Sequence, residues 1–255
     1  DLNNSKLFSK LPKKIDYVIH LAANRDSLLK YSEGDKQIYQ NFNITQNLAN
    51  FCVKIKCKNF IFLSSVYIYS GLKASNFKEN YTSYPIEPLG LSKFISESIL
   101  KKTSMDHDFK CISFRVFTVY GKNSSSKQFI SSALKKMKSK KNIIKFGNSQ
   151  MQRDFIYIDD VVKAIELAVH KITSFKNNFE TINLGSGRSM SIKKAVRIIM
   201  NALKISKSLK FDDKSKLRAG DTNHKGDFSK LKKLFNWSPE VKFEDGIRNI
   251  IKIYD

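Results

Sequence analysis

The fold is decided by one short apolar stretch, Asp16-Tyr17-Val18-Ile19-His20-Leu21-Ala22-Ala23. Its length and its aromatic and β-branched residues favour a buried strand, and the small residues at its end favour a turn. Comparable stretches recur at Asn59–Ser65, Cys111–Tyr120 and Glu180–Leu184. Amphipathic helical patterns lie between them. Strands that alternate with helices in this way predict an α/β protein built on a parallel sheet.

The helical patterns differ in how regular they are. Gln37–Lys56 carries an apolar face, although Asn43 and Asn47 interrupt it. A cleaner apolar stripe starts at Val161, and Asp159 or Asp160 is predicted to cap the N-terminus of its helix. Ser191 is predicted to cap the next helix in the same way, because a side-chain oxygen there satisfies free backbone N–H groups.

The composition is that of a folded, strongly basic protein. The 255 residues are 41% apolar, and 46 Lys+Arg against 23 Asp+Glu give a net charge of +23. Such a charge is typical of nucleic-acid binders, but most of the cations are lysines spread along the chain, and only seven are arginines. Because arginine is favoured for base recognition, we expect a lysine-rich surface and no nucleic-acid partner. No apolar run approaches the roughly 20 residues that cross a bilayer, so no membrane association is expected either.

The cysteines predict neither disulfides nor a metal site. Cys52, Cys57 and Cys111 are odd in number and lack the paired spacing of zinc ligands. Three thiols without a disulfide framework favour the reducing cytoplasm.

The chain also lacks the usual mark of a dinucleotide-binding fold. A Gly-rich turn normally follows the first strand and holds the cofactor's pyrophosphate at a helix N-terminus. Here the first glycine is Gly34, and no GxGxxG pattern occurs.

Several motifs nevertheless occur in the order of one family. They are the stretch Val18–Ala23, Ser64-Ser65-Val66-Tyr67-Ile68-Tyr69, Pro88-Leu89-Gly90-Leu91-Ser92-Lys93, Gln152-Arg153-Asp154-Phe155 through Asp160, Arg218-Ala219-Gly220-Asp221, and a C-terminal signature from Asp227 to Gly246. By this ordered set the chain resembles the nucleotide-sugar epimerase/dehydratase branch of the extended short-chain dehydrogenase/reductases, and most closely the UDP-hexose 4-epimerases. The resemblance covers essentially the whole sequence.

The resemblance implies a Rossmann-type doubly wound sheet with a smaller C-terminal α/β domain that binds substrate. Residues 1–122 would form the dinucleotide-binding domain, residues 123–150 and 205–255 the substrate-binding domain, and residues 151–204 would return to the first. Asp1 and Leu2 resemble the pair that contacts the adenine after the third strand. We therefore expect roughly sixty further residues, including the Gly-rich turn, to precede Asp1.

In the resembled enzymes a tyrosinate takes a proton from a sugar hydroxyl while NAD takes the hydride. Ser65 matches the hydroxyl that holds the substrate oxygen, and Lys93 matches the lysine that lowers the tyrosine pKa and contacts the nicotinamide ribose. Leu89 stands where the tyrosine belongs, four residues before Lys93. Leucine has no proton to exchange, so the usual base is missing.

Three interpretations of Leu89 stay open. A neighbouring group such as Tyr84 or Tyr67 substitutes for the tyrosine. Alternatively, the protein resembles a group of 4,6-dehydratases that carry methionine here and use lysine and acidic residues. The third interpretation is a nucleotide-sugar-binding homologue with little turnover. Fold-level analogy does not choose among them.

The resemblance also implies the binding residues. NAD would be contacted by Asp1, Leu2, Leu21, Ala22, Ala23, Asn41, Ser64, Lys93 and Phe117, and the sequence does not distinguish NAD from NADP. The nucleoside-diphosphate sugar would be contacted by Ser65, Thr118, Phe146, Arg153, Arg218 and Asp221. Of these, Arg153 and Arg218 resemble a pair that clamps the pyrophosphate, for which guanidinium forks are suited. Thr118 replaces the usual asparagine, which leaves the identity of the sugar open.

A homodimer is the last implication of the resemblance. Gln37–Lys56 and Leu91–Lys101 correspond to the helices that pair across the family's dimer interface, although packing within one subunit would explain their apolar faces equally well.

Overall fold

The structure, a computed structural model, describes residues 1–25, 31–74, 76–213 and 223–254. Its strands, in chain order, are β1 (Tyr17–His20), β2 (Asn59–Leu63), β3 (Lys110–Val116), β4 (Thr118–Tyr120), β5 (Ile143–Phe146), β6 (Gln152–Tyr157), β7 (Phe179–Leu184), β8 (Ser189–Ser191) and β9 (Ser208–Phe211). Its helices are α1 (Tyr31–Lys54), α2 (Pro88–Asp106), α3 (Phe129–Lys138), α4 (Ile158–Lys171), α5 (Ile192–Ala202), α6 (Ser229–Phe235) and α7 (Phe243–Tyr254). Short 3-10 helices cover Ser5–Lys10, Val66–Tyr69 and Ile172–Ser174. Within the described ranges, no helix combines the length and apolarity that a membrane crossing needs.

The predicted parallel α/β sheet is confirmed. Strands β1, β2, β3 and β7 lie side by side in that order, and all neighbours are parallel. Alternate side chains of β2 enter different cores: Phe60 and Phe62 pack with α1, whereas Ile61 packs with α4. Helices therefore cover both faces of the sheet, as expected for a doubly wound fold.

The predicted strand Cys111–Tyr120 is wrong in extent, because it is two strands. β3 ends at Val116, and the Phe117 N–H donates to the Leu184 carbonyl at 2.9 Å. β4 then leaves the first sheet and pairs with β6, which also pairs with β8. The pair β5–β9 is parallel and stands apart. The assignment of residue ranges to two domains stays a prediction.

The capping predictions give mixed results. Ser191 does cap α5, since its side chain accepts from the Lys194 N–H. The caps predicted for α4 are wrong, because that helix begins at Ile158 and its N-cap, Tyr157, makes no side-chain cap. The Asp160 carboxylate instead accepts from the N–H groups of Glu240 and Val241, at 3.1 Å each.

One buried ion pair fixes α2 on the sheet. The Arg115 guanidinium of β3 contacts the Glu97 carboxylate of α2 at 2.8 Å, and both side chains are buried. The pair links the third turn of α2 to β3, while Lys93 in the second turn reaches the end of β2.

Candidate functional site

The candidate site lies where the parallel strands end. β1 ends at His20, β2 at Leu63, β3 at Val116 and β7 at Leu184, and the parallel register brings these ends to one edge. Ligands of doubly wound sheets bind outside the carboxyl ends of the strands. Residues assigned to the cofactor follow these ends directly: Leu21–Ala23 after β1, Ser64 after β2 and Phe117 after β3. Leu21 is 54% exposed, so this edge has apolar surface for a ligand to cover.

Lys93 is buried in the second turn of α2 and reaches the end of β2. Its Nζ donates to the Leu63 carbonyl at 2.6 Å and lies 4.6 Å from the centre of the Phe62 ring. Burial lowers the pKa of the Lys93 ammonium to about 7, and the Arg25 charge acts in the same direction. The structure thus brings the predicted lysine to the residue that precedes Ser64 and Ser65.

The two serines at the end of β2 face different surroundings. Ser64 is buried, and its Oγ has no hydrogen-bond partner within the described part of the chain. Ser65 caps the 3-10 helix Val66–Tyr69, where its Oγ accepts from the Tyr67 N–H at 3.2 Å. A hydroxyl that accepts one such bond keeps its own proton to donate. Ser65 is therefore able to hold a substrate oxygen.

Asn41 joins α1, α2 and the segment after β1. Its Nδ2 donates to the Ser92 Oγ at 2.9 Å and to the Asn24 carbonyl at 3.0 Å. Its Oδ1 accepts from the Asn24 N–H at 2.7 Å. The network fixes the residues directly after Leu21–Ala23 beside α2.

The start of the chain lies against α1. The Leu2 carbonyl accepts from Asn47 Nδ2 at 3.0 Å, and the Asp1 carboxylate accepts from the Asn3 N–H at 3.0 Å. The predicted adenine contacts of Asp1 and Leu2 stay predictions.

Leu89 lies in the first turn of α2 and is 7% exposed. The turn is capped by Glu87, whose carboxylate accepts from the N–H groups of Leu89 at 3.0 Å and Gly90 at 2.9 Å. Burial raises the pKa of Glu87 to about 7, although both cap bonds act in the opposite direction. Sequence reasoning assigned no role to Glu87, which is half-buried. Its place just before a proline at the helix start was the available signal.

On the substrate side, Arg153 is nearly buried in β6, and its Nη1 donates to the Gln152 carbonyl at 2.9 Å. Thr118 lies on the neighbouring strand, paired with Phe155. Asp154 accepts from the Ser186 N–H at 2.6 Å, and burial raises the pKa of its carboxyl to about 6. Arg153 and Thr118 are thus on adjacent strands of one sheet.

The remaining substrate residues are less well defined. Phe146 packs in an aromatic cluster, stacked on Phe211 at 6.0 Å with Lys136 Nζ 5.1 Å from its ring centre. Its predicted nucleobase contact stays a prediction. Arg218 and Asp221 lie outside the described residues.

His224 is a buried residue to which the sequence assigned no role. Its ring lies edge-on to Tyr67, with the ring centres 5.4 Å apart. Neither ring nitrogen has a hydrogen-bond partner among the described residues, and burial, followed by the Arg153 charge, lowers the pKa of the imidazole. Within those ranges no three His, Cys, Asp or Glu side chains gather as metal ligands do.

Comparison with known proteins agrees with this geometry. The model of the NAD dependent epimerase/dehydratase family matches residues 1–185. An uncharacterised UDP-glucose epimerase of Bacillus subtilis is 28% identical over 246 residues, covering 95% of this chain and 75% of that protein. A UDP-glucuronate 4-epimerase of Thermodesulfobacterium geofontis is 28% identical over 240 residues, covering 93% and 72%.

A solved structure adds a likeness in three dimensions. The UDP-glucuronic acid 4-epimerase of Bacillus cereus, determined in complex with UDP-glucuronic acid and NAD, has a TM-score of 0.84 to this chain at 28% identity. The match covers 100% of this chain and 81% of that one. With most of its length matched by the family model, the chain belongs to the NAD-dependent epimerase/dehydratase family.

Proposed function

We propose that the protein is an NAD-dependent nucleotide-sugar epimerase that acts on a UDP-hexose by transient oxidation at C4. The observation that carries this proposal is the buried Lys93, whose Nζ lies 2.6 Å from the carbonyl directly before Ser64-Ser65. This contact supports a shared role for the lysine and the two serine hydroxyls at one sheet edge. The named activities of the relatives support the choice of reaction.

NAD, when bound, supplies a nicotinamide ring that accepts and returns a hydride. The strand-end residues fit such a ligand, because Ser64 Oγ is a buried polar atom without a partner in the described chain and Leu21 exposes apolar surface. Lys93, Ser64, Asn41 and Phe117 would hold its nicotinamide half, and Asp1 and Leu2 its adenosine.

For the substrate, Ser65 would orient the sugar oxygen, and Arg153 would contact the pyrophosphate together with Arg218. Thr118 would lie near the sugar, with Asp221 and Phe146 at the nucleoside. Residues 123–150 and 205–255 would form the domain that carries half of these contacts, those of Phe146, Arg218 and Asp221.

A product assay on the complete protein tests the activity. Purified protein should interconvert a UDP-hexose and its C4 epimer, and Lys93→Met should abolish turnover. Lys101→Met is the matched control, because Lys101 is exposed on the same helix and should be dispensable. Full turnover by Lys93→Met would refute the assigned site.

Leu89 supports a second candidate, a nucleotide-sugar-binding homologue with impaired catalysis. The side chain at the usual tyrosine position is buried and cannot ionise. In that case Leu89→Tyr should raise epimerase activity strongly from a very low level. A parent protein that already turns over, and that Leu89→Tyr does not improve, would exclude this candidate.

The proposed assembly is a homodimer through α1 and α2. These helices present a shared, mostly apolar surface, lined by Ile38, Tyr39, Phe42 and Ile95 with Asp35 beside them. Tyr39 is largely exposed on it, although aromatic side chains of this kind usually pack against a partner. The free cysteines Cys52, Cys57 and Cys111 support a reducing, cytoplasmic location.

A further inference from the structure

Leu89 leaves the proposed reaction without the tyrosine that normally exchanges the proton. We propose that the Tyr67 phenol is the proton acceptor in place of the missing tyrosine. It lies two residues after Ser65, whereas the usual tyrosine position lies four residues before Lys93. This inference rests on the proposed function and names a catalytic residue for it.

Tyr67 adjoins both Ser65 and the first turn of α2. Its N–H donates to Ser65 Oγ at 3.2 Å. A Cβ added at Gly90 would lie 2.3 Å from the Tyr67 carbonyl oxygen, so this turn packs directly on the Tyr67 backbone. Residue 67 therefore lies beside the turn that holds position 89.

The Tyr67 ring extends towards the substrate side of the site. It lies edge-on to His224, whose N–H donates to the Gln152 carbonyl at 3.1 Å. Gln152 precedes Arg153, and the Arg153 charge acts on the His224 imidazole. The half-buried Tyr67 ring thus lies near the start of β6, next to the candidate pyrophosphate contact, and it also packs on the apolar cluster that contains Phe117. The candidate catalytic serine lies at its backbone.

The other ionisable groups near Leu89 are less well placed to accept the proton of the sugar hydroxyl. Tyr84 is 60% exposed, and its ring lies against Gly71, at the far end of the 3-10 helix from Ser65. Tyr69 is fully buried, with its hydroxyl bonded to Asn183 and Arg115, and burial raises its pKa to about 12. The Glu87 carboxylate is directed at the helix backbone it caps.

The proposed step is balanced. The Tyr67 phenolate oxygen would accept the proton of the sugar C4 hydroxyl, and bound NAD would supply the hydride acceptor, so that the alcohol would become a ketone. On the return, the hydride would be delivered to the opposite face of C4 and the Tyr67 phenol would give its proton back to the oxygen. No net proton or electron is consumed.

Kinetics of Tyr67→Phe in the complete protein provide the first test. Loss of a general base lowers kcat by about a hundredfold or more, and calorimetric affinity for UDP-glucose should be unchanged. Tyr17→Phe is the control, because Tyr17 begins β1 at the opposite edge of the sheet. Wild-type kcat in Tyr67→Phe, or a comparable loss in Tyr84→Phe, would overturn the inference.

Nitration provides a second readout that needs no turnover. Tetranitromethane should modify Tyr67 less when UDP-glucose is present, and Tyr17 equally with and without it, as measured by peptide mass spectrometry. Equal modification of Tyr67 would overturn the inference. A parent protein inactive on UDP-hexoses would refute the proposed epimerase and this role together, whereas activity retained in Tyr67→Phe would refute this role alone.

Discussion

At the scale of single residues, the ionisation of the Glu87 carboxyl makes the stability of the protein depend on pH. Burial raises the pKa of its carboxyl to about 7, from 4.5. Its folded-state pKa exceeds the unfolded value, so the proton stabilises the folded protein below the unfolded pKa. That stability is lost as pH rises through the folded pKa.

Glu87→Gln should therefore gain stability relative to wild type as pH rises. We expect the difference in free energy of unfolding to change by about 1–2 kcal/mol between about pH 4 and about pH 8, as measured by urea denaturation. Glu166→Gln, on the exposed face of α4, controls for loss of a surface carboxylate. A Glu87→Gln difference that stays constant across this range would contradict the burial argument.

The sequence predicted the local placement of some candidate residues better than that of others. The positions of Ser65 and Lys93 follow from local motifs, because Ser65 lies just after β2 as the cap of a 3-10 helix and Lys93 lies in the second turn of α2. The burial of Glu87 and the contact of His224 with Tyr67 depend on packing between distant segments, which periodicity does not encode. For His224 no sequence signal was available.

At the scale of secondary-structure elements, the Glu97–Arg115 pair is the main polar link between α2 and the sheet. Removing one member of a buried pair leaves the other charge uncompensated, at a cost of about 3–5 kcal/mol. Glu97→Gln keeps the shape of the side chain and should lose about 3 kcal/mol of unfolding free energy in urea denaturation.

A second pair on the same helix provides the control. Lys102 and Asp106 form an exposed i,i+4 contact near the end of α2. Because such pairs contribute little, Asp106→Asn should cost at most about 0.5 kcal/mol. Equal losses in Glu97→Gln and Asp106→Asn would show that the buried pair does not fix the helix.

The sequence also predicted the elements unevenly. The parallel strands of the first sheet were recognised because they are short apolar runs between helices. The break after Val116 was not, because the run stays apolar while the chain passes from one sheet to another. The pairing of β5 with β9 joins Ile143 to Ser208, a separation that no local pattern reveals.

At the scale of the whole molecule, the proposed dimer predicts a measurable mass. The complete protein should sediment at about twice the mass of one subunit. Tyr39→Glu should shift the protein to monomer by placing a charge in the apolar surface of α1 and α2, whereas Val162→Glu, on the exposed face of α4, should not. Monomeric sedimentation of the unsubstituted protein would contradict the proposed interface.

The central claim is that the residues at the strand ends together support oxidation of the hexose at C4 and return of the same hydride to C4. Its most direct test is to incubate the complete protein with UDP-glucose deuterated at C4 and to examine the product by proton NMR. We expect UDP-galactose that keeps the deuterium at C4. Loss of the deuterium to water, or no UDP-galactose at all, would contradict it.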